Sequence, residues 1–124
     1  MLLCFAVEKC DVSPTGDRLY IISHWQNKLL TLARDGTLLA TYTGTDLMGP
    51  TGLHVTPGGE VLVCGRYPNT VIQVGWKGQS YPATLYAGES FGDSDPRSVC
   101  YSSTTSSIIV GQYWNNNILV LRVE

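Results

Sequence analysis

Charge is scarce in this sequence. Asp, Glu, Lys and Arg make up 15% of its 124 residues, against about 25% in an average soluble domain. Eight basic residues face ten acidic ones, for a formal charge of −2. That balance argues against a strong grip on nucleic acid, which needs clustered Lys and Arg to replace counterions. Long hydrophobic runs are also missing. The longest uncharged apolar stretch, residues 1–7, has seven residues, and a membrane span needs about 20. The same stretch lacks a basic start and meets Glu8 and Lys9 before any small-residue cleavage site, so it reads as a strand and not as a secretory signal. No apolar period longer than two helical turns is found. Collagen, coiled coil and intrinsic disorder are excluded by composition.

Motifs for chemistry are equally sparse. Cys4, Cys10, Cys64 and Cys100 form no CxxC pair, and neither His24 nor His54 sits at a zinc-ligand spacing from them. Without a secretory signal the four thiols are expected to be buried and to act as small hydrophobes. There is no G-x-S-x-G, no P-loop and no G-x-G-x-x-G. The longest polar connection, residues 88–96, carries Glu89, Asp93 and Asp95, but not at the spacing of an EF-hand loop. It reads as a solvated loop.

What the chain does have is a repeat. Residues 20–32, 62–74 and 109–121 align without gaps at offsets of 42 and 47 residues. Each has an apolar run, an aromatic (Trp25, Tyr67, Trp114), an Asn two residues later (Asn27, Asn69, Asn116) and a second apolar run. Asn tolerates left-handed backbone angles and suits a hairpin turn. Upstream, Val12-Ser13-Pro14-Thr15-Gly16 matches Val55-Thr56-Pro57-Gly58-Gly59, a strand end followed by a Pro/Gly turn. The third copy, residues 101–105, keeps a polar turn without Pro or Gly. The second unit reads as four strands, over residues 52–56, 60–65, 70–76 and 81–86. Four-stranded units recurring every 40–45 residues or so are the signature of propeller blades. An isolated β-sandwich explains the strands but not the recurrence. The expected fold is therefore all-β, with three four-stranded blades over residues 8–44, 50–88 and 96–124, amounting to half of a six-bladed ring. Residues 1–6 have the length and character of an outer strand that closes a last blade.

Pro50-Thr51-Gly52-Leu53-His54-Val55 and Asn69-Thr70-Val71-Ile72-Gln73-Val74 resemble the NHL repeat, the blade of six-bladed propellers. The likeness runs from about Glu8 to Glu124 and is closest to the propellers that end tripartite-motif proteins of invertebrate animals. Where that family has an Asp, this chain has His24, Arg66 and Tyr113; where it has an Arg, this chain has Leu29, Val71 and Ile118. The resemblance implies a non-enzymatic protein-interaction module, the substrate-selecting end of a ubiquitin ligase, working in the cytoplasm without a cofactor. The RING, B-box and coiled coil of such a ligase have no counterpart here.

Candidate binding residues follow from the repeat. Trp25, Tyr67 and Trp114, with His24, Arg66 and Tyr113 beside them, would form a row suited to a peptide or to stacked bases if exposed. If buried they would be inter-blade packing, the commoner fate of repeat-position aromatics. Asp11, His54 and Cys100 fall at matching inner-strand positions and would line a central channel; as an Asp, His and Cys around one axis they could ligate a metal, though a polar lining is expected. A protein is the expected partner. Single-stranded RNA is the alternative, disfavoured by the charge, and a remnant propeller hydrolase or lyase the third. Three blades cannot close a ring, so either this is a fragment of a longer propeller or two copies make a homodimer of six blades. The fragment is favoured, because open sheet edges are hazards.

Overall fold

The computed structural model describes residues 9–45, 47–66, 70–75, 83–87, 96–112 and 118–122, with the backbone alone at 83–87 and at 122. They form eleven strands and no helix. Blade 1 holds β1 (Lys9–Val12), β2 (Arg18–Ser23), β3 (Lys28–Ala33) and β4 (Leu38–Tyr42). Blade 2 holds β5 (Pro50–Val55), β6 (Val61–Gly65), β7 (Thr70–Val74) and β8 (Ala83–Ala87). Blade 3 holds β9 (Pro96–Ser102), β10 (Ser107–Gln112) and β11 (Leu119–Arg122). All pairings are antiparallel and each sheet takes its strands in chain order. The expected strands of the second unit are thus in place. The first begins two residues early because Pro50 pairs with Gly65 across a bulge; Pro is tolerated at the first position of a strand. The fourth starts at Ala83 and not at residue 81. Residues 1–6 and the 88–95 loop lie outside the described residues. No helix among the described residues is long and apolar enough to cross a membrane.

Side chains of successive residues point to opposite faces of a strand. Blade 2 has no polar face on which to spend that alternation. Val61 and Val63 pack with Tyr20, Ile22 and Leu29 of blade 1, whereas Leu62 and Cys64 pack with Val99, Ile108 and Val110 of blade 3. Every residue of β6 is consequently buried. Two cores result, one on each side of blade 2. The first strands β1, β5 and β9 are neighbours in space, as the inner strands of consecutive blades are.

The turns follow the local chemistry. The Ser13 and Thr56 carbonyls accept from Gly16 and Gly59, which adopt φ of 76° and 87°. The corresponding left-handed residue of the third turn is Ser106, at φ 51°; its serine accepts a conformation that Gly takes at no steric cost.

One glycine fixes how closely blades 2 and 3 approach. A Cβ built on Gly52 would lie 2.6 Å from the backbone oxygen of Arg97. Backbone cannot retreat there without shifting β9. Beside it the Thr51 hydroxyl donates to the Pro96 carbonyl. Gly52→Ala is expected to lower stability by about 1–3 kcal/mol, the usual cost of overpacking, whereas Gly36→Ala, with open space around it but a φ of 91°, should cost only the roughly 1 kcal/mol of a left-handed angle. Chemical denaturation of both variants checks the order.

Candidate functional site

Up-and-down strand order places the β2–β3 turn and the β4–β5 connection at one end of the blades. The β2–β3 turn is built around Asn27, whose φ of 55° is the left-handed angle expected of a hairpin Asn. Its carboxamide oxygen accepts a 2.7 Å hydrogen bond from the Gly49 N–H. His24 Nδ1 lies 3.3 Å from the Pro50 carbonyl; a carbonyl only accepts, so this bond requires the proton on Nδ1. Two polar residues of the turn thereby pin the start of β5. In blade 2 the backbone N–H of Arg66, at the position equivalent to His24, donates to the Met48 carbonyl.

Trp25 rides on this pinned turn. Its side chain is 81% exposed, and its ring meets His24 edge-on, with centroids 4.9 Å apart and planes at 79°. At this repeat position, then, the aromatic that the structure describes stands in solvent and is not inter-blade packing. Tyr67, Tyr113 and Trp114 lie outside the described residues. Met48, next to Gly49 in sequence, is 37% exposed, and adds an apolar surface near the turn.

The inner strands carry the other candidates. Asp11 on β1 accepts from the Val12 N–H at 2.8 Å through one oxygen and from the Val55 N–H at 3.0 Å through the other. Its carboxylate therefore ties blade 1 to blade 2. His54 is half-buried and Cys100 exposed. Among the described residues no three His, Cys, Asp or Glu side chains are grouped so as to hold a metal ion.

The expectation of four buried thiols is corrected by the structure. Cys64 is buried, but Cys10 and Cys100 are exposed, and all three are free; Cys4 lies outside the described residues. The reason is position. Cys64 faces blade 3, whereas Cys10 and Cys100 alternate with the residues turned toward blade 2 and so point to the outer faces of blades 1 and 3.

The opposite end of the blades was not singled out by the sequence. There the Pro57-Gly58 turn separates two clefts. One, of 350 Å³, lies between it and Ser13, Pro14 and Thr15 of the β1–β2 turn. The other, of 330 Å³, reaches Tyr101 and Ile108 of blade 3. Hydrogen bonds from the Thr15 and Ser13 hydroxyls hold the Asp17 carboxyl below its ordinary value. The repeated Pro/Gly turns were the available signal: adjacent blades carrying the same turn leave a groove between them.

Solved structures with this architecture are propellers. Hydrazine synthase of Kuenenia stuttgartiensis superposes with a TM-score of 0.79 at 19% identity, over 94% of this chain and 32% of its own. A putative 6-phosphogluconolactonase from Bacteroides uniformis gives 0.76 at 16% identity, over 100% and 38%. A catalytically inactive virginiamycin B lyase from Staphylococcus aureus with quinupristin gives 0.67 at 15% identity, over 94% and 41%. The chain is all-β, a run of three propeller blades, and spans about a third to two fifths of these proteins' length. No protein-family model matches it, and no curated protein does. At these identities the likeness is one of fold, and folds of this kind host unrelated functions.

Burial pushes the Cys64 thiol up to about 12. A raised folded-state value leaves stability untouched below the ordinary thiol value of 9.0 and removes it as pH climbs from there toward 12. Iodoacetamide at pH 8 is expected to label Cys10 and Cys100 in the folded single chain, in dilute solution, and Cys64 only after denaturation, as read by peptide mass mapping.

Proposed function

We propose that this chain is part of a binding propeller that performs no chemistry itself and holds a protein partner at the end carrying Trp25. The observation behind the reading is that exposed indole. A large aromatic kept in solvent, on a turn fixed by the Asn27–Gly49 and His24–Pro50 bonds, loses little conformational freedom when it enters a partner's pocket. Such residues dominate binding energy in interfaces. Asp11 is engaged with backbone N–H groups, which favours a structural part for the inner-strand carboxylate. On the NHL resemblance, the finer reading is the substrate-recognition end of a tripartite-motif ubiquitin ligase, with ubiquitin transfer left to other parts of that protein.

The test is selection of peptides from a displayed random library on the immobilised chain, followed by calorimetry. Trp25→Ala should weaken the selected peptides roughly tenfold or more, while leaving the melting transition in place because the side chain is exposed. Equal affinity for wild type and Trp25→Ala would refute the reading.

Single-stranded RNA is the second reading, since an exposed indole also stacks bases. The charge of −2 counts against it. Mixed-sequence RNA should give no gel shift even at about 50 mM salt, where phosphate contacts are strongest; a shift lost with Trp25→Ala would favour RNA over protein.

A further inference from the structure

The two interfaces inside this chain are built from the same pair of rows, used twice. The row that blade 2 turns toward blade 1 includes Val55, Val61, Val63, Ile72 and Val74. Its counterpart in blade 3, turned toward blade 2, is Tyr101, Ile108, Val110, Leu119 and Leu121. The receiving row is Tyr20, Ile22 and Leu29 in blade 1, and Leu62, Cys64 and Val71 in blade 2, all 0–1% exposed.

Blade 3 carries a third receiving row. The repeat register places Ile109, Gly111 and Ile118 at its positions, and strand pairing sets Cys100 and Val120 on either side of Ile109. Here the row is less covered: Ile109 is half-buried and Ile118 64% exposed, and beside them Val120 is 61% exposed and Cys100 exposed. At the position of Ile118 the other two copies carry Leu29 and Val71, both fully buried. A contiguous apolar face of this kind marks an interaction site.

We propose that this face docks the outer face of blade 1 of a second copy of the chain. The complement it requires is written in the same sequence. Val12, Leu19, Ile21, Leu30 and Leu32 stand at the repeat positions of Val55, Val61, Val63, Ile72 and Val74. They lie on the side of blade 1 that faces away from blade 2, since Asp11, Tyr20 and Ile22 face toward it. Neither row contains a charge. Val12 is 46% exposed, whereas Leu30 and Leu32 are 4% and 5% exposed in the single chain, so docking exchanges their present cover for the face of blade 3. The contact is head to tail, and two of them related by a two-fold axis close a ring of six blades.

Light scattering over roughly 1 µM to 1 mM, the range in which a mass-action dimer reveals itself, should show the mass rising to twice 13.5 kDa. Val120→Lys should hold the chain at monomer mass throughout, with an unchanged circular dichroism spectrum, because the side chain is exposed in the single chain. A cross-link tests the geometry separately. Asp11 reaches the Val55 N–H across the blade 1–blade 2 interface; the repeat counterparts across the proposed contact are Cys100 and Val12 of the second copy. Val12→Cys under a mild oxidant should give a disulfide-linked dimer through Cys100, mapped by mass spectrometry and lost on Cys100→Ser. A monomer at every concentration without that cross-link overturns the proposal, and assigns the face to further blades or another protein. A dimer that survives Val120→Lys, or that links Cys100 to Cys100, overturns it in favour of a different packing.

Discussion

A sheet with two apolar faces has to be covered twice. That constraint governs this structure, and blade 2 shows it most plainly. Its second strand, Val61–Gly65, is buried at every position, so no residue of that strand is left to face water. Each of its faces is closed by a neighbouring blade, and the two cores exist only because three sheets follow one another. Blade 2 therefore depends on both neighbours, while each neighbour has an outer face that the described interfaces do not use. Stability in such an array is a matter of interfaces as much as of units.

Burial alone is not directional, and apolar rows could slide against each other. Polar clips set the registration. Asn27 and His24 hold Gly49 and Pro50 at one end of the blade 1–blade 2 interface, Asp11 holds Val55 along the inner strands, and Thr51 holds Pro96 at the next interface. Each bond satisfies backbone or hydroxyl groups that would otherwise be costly to bury. Gly52 adds a steric limit, allowing β9 to approach a bare backbone.

The blades were legible because the repeat leaves its period in the sequence. Apolar runs at offsets of 42 and 47 residues gave the second and third strands, and the Asn of each unit marked the hairpin, as Asn27 shows. The part played by polar residues was not legible. His24 at a turn and Asp11 at a strand position look the same on paper whether they face a ligand or a neighbour's N–H. Only the fold shows that Pro50 and Val55 lie within reach. Cys10 and Cys100 were misjudged for a related reason: a small apolar residue in a strand reads as buried unless it is known which blade has a neighbour. Trp25 went the other way. Packing is the commoner fate of a repeated aromatic, but its place in the turn after β2 carries it beyond the sheet faces altogether.

Asn27 has a consequence for the ageing of the molecule. Deamidation of an asparagine requires the next backbone nitrogen to attack the side-chain carbonyl carbon. Here that nitrogen belongs to Lys28, at the start of a strand paired with Ser23, and the carbonyl oxygen is held by Gly49. The residue is thus shielded from the reaction by the same bonds that make it useful. Conversion to aspartate would leave an oxygen for Gly49 and add a negative charge two residues from Trp25, whereas conversion to isoaspartate, the other product of the same cyclic imide, would lengthen the backbone of the turn. Chemical damage at this turn would therefore register as altered charge beside the indole and, through isoaspartate, as a loosened joint between the first two blades.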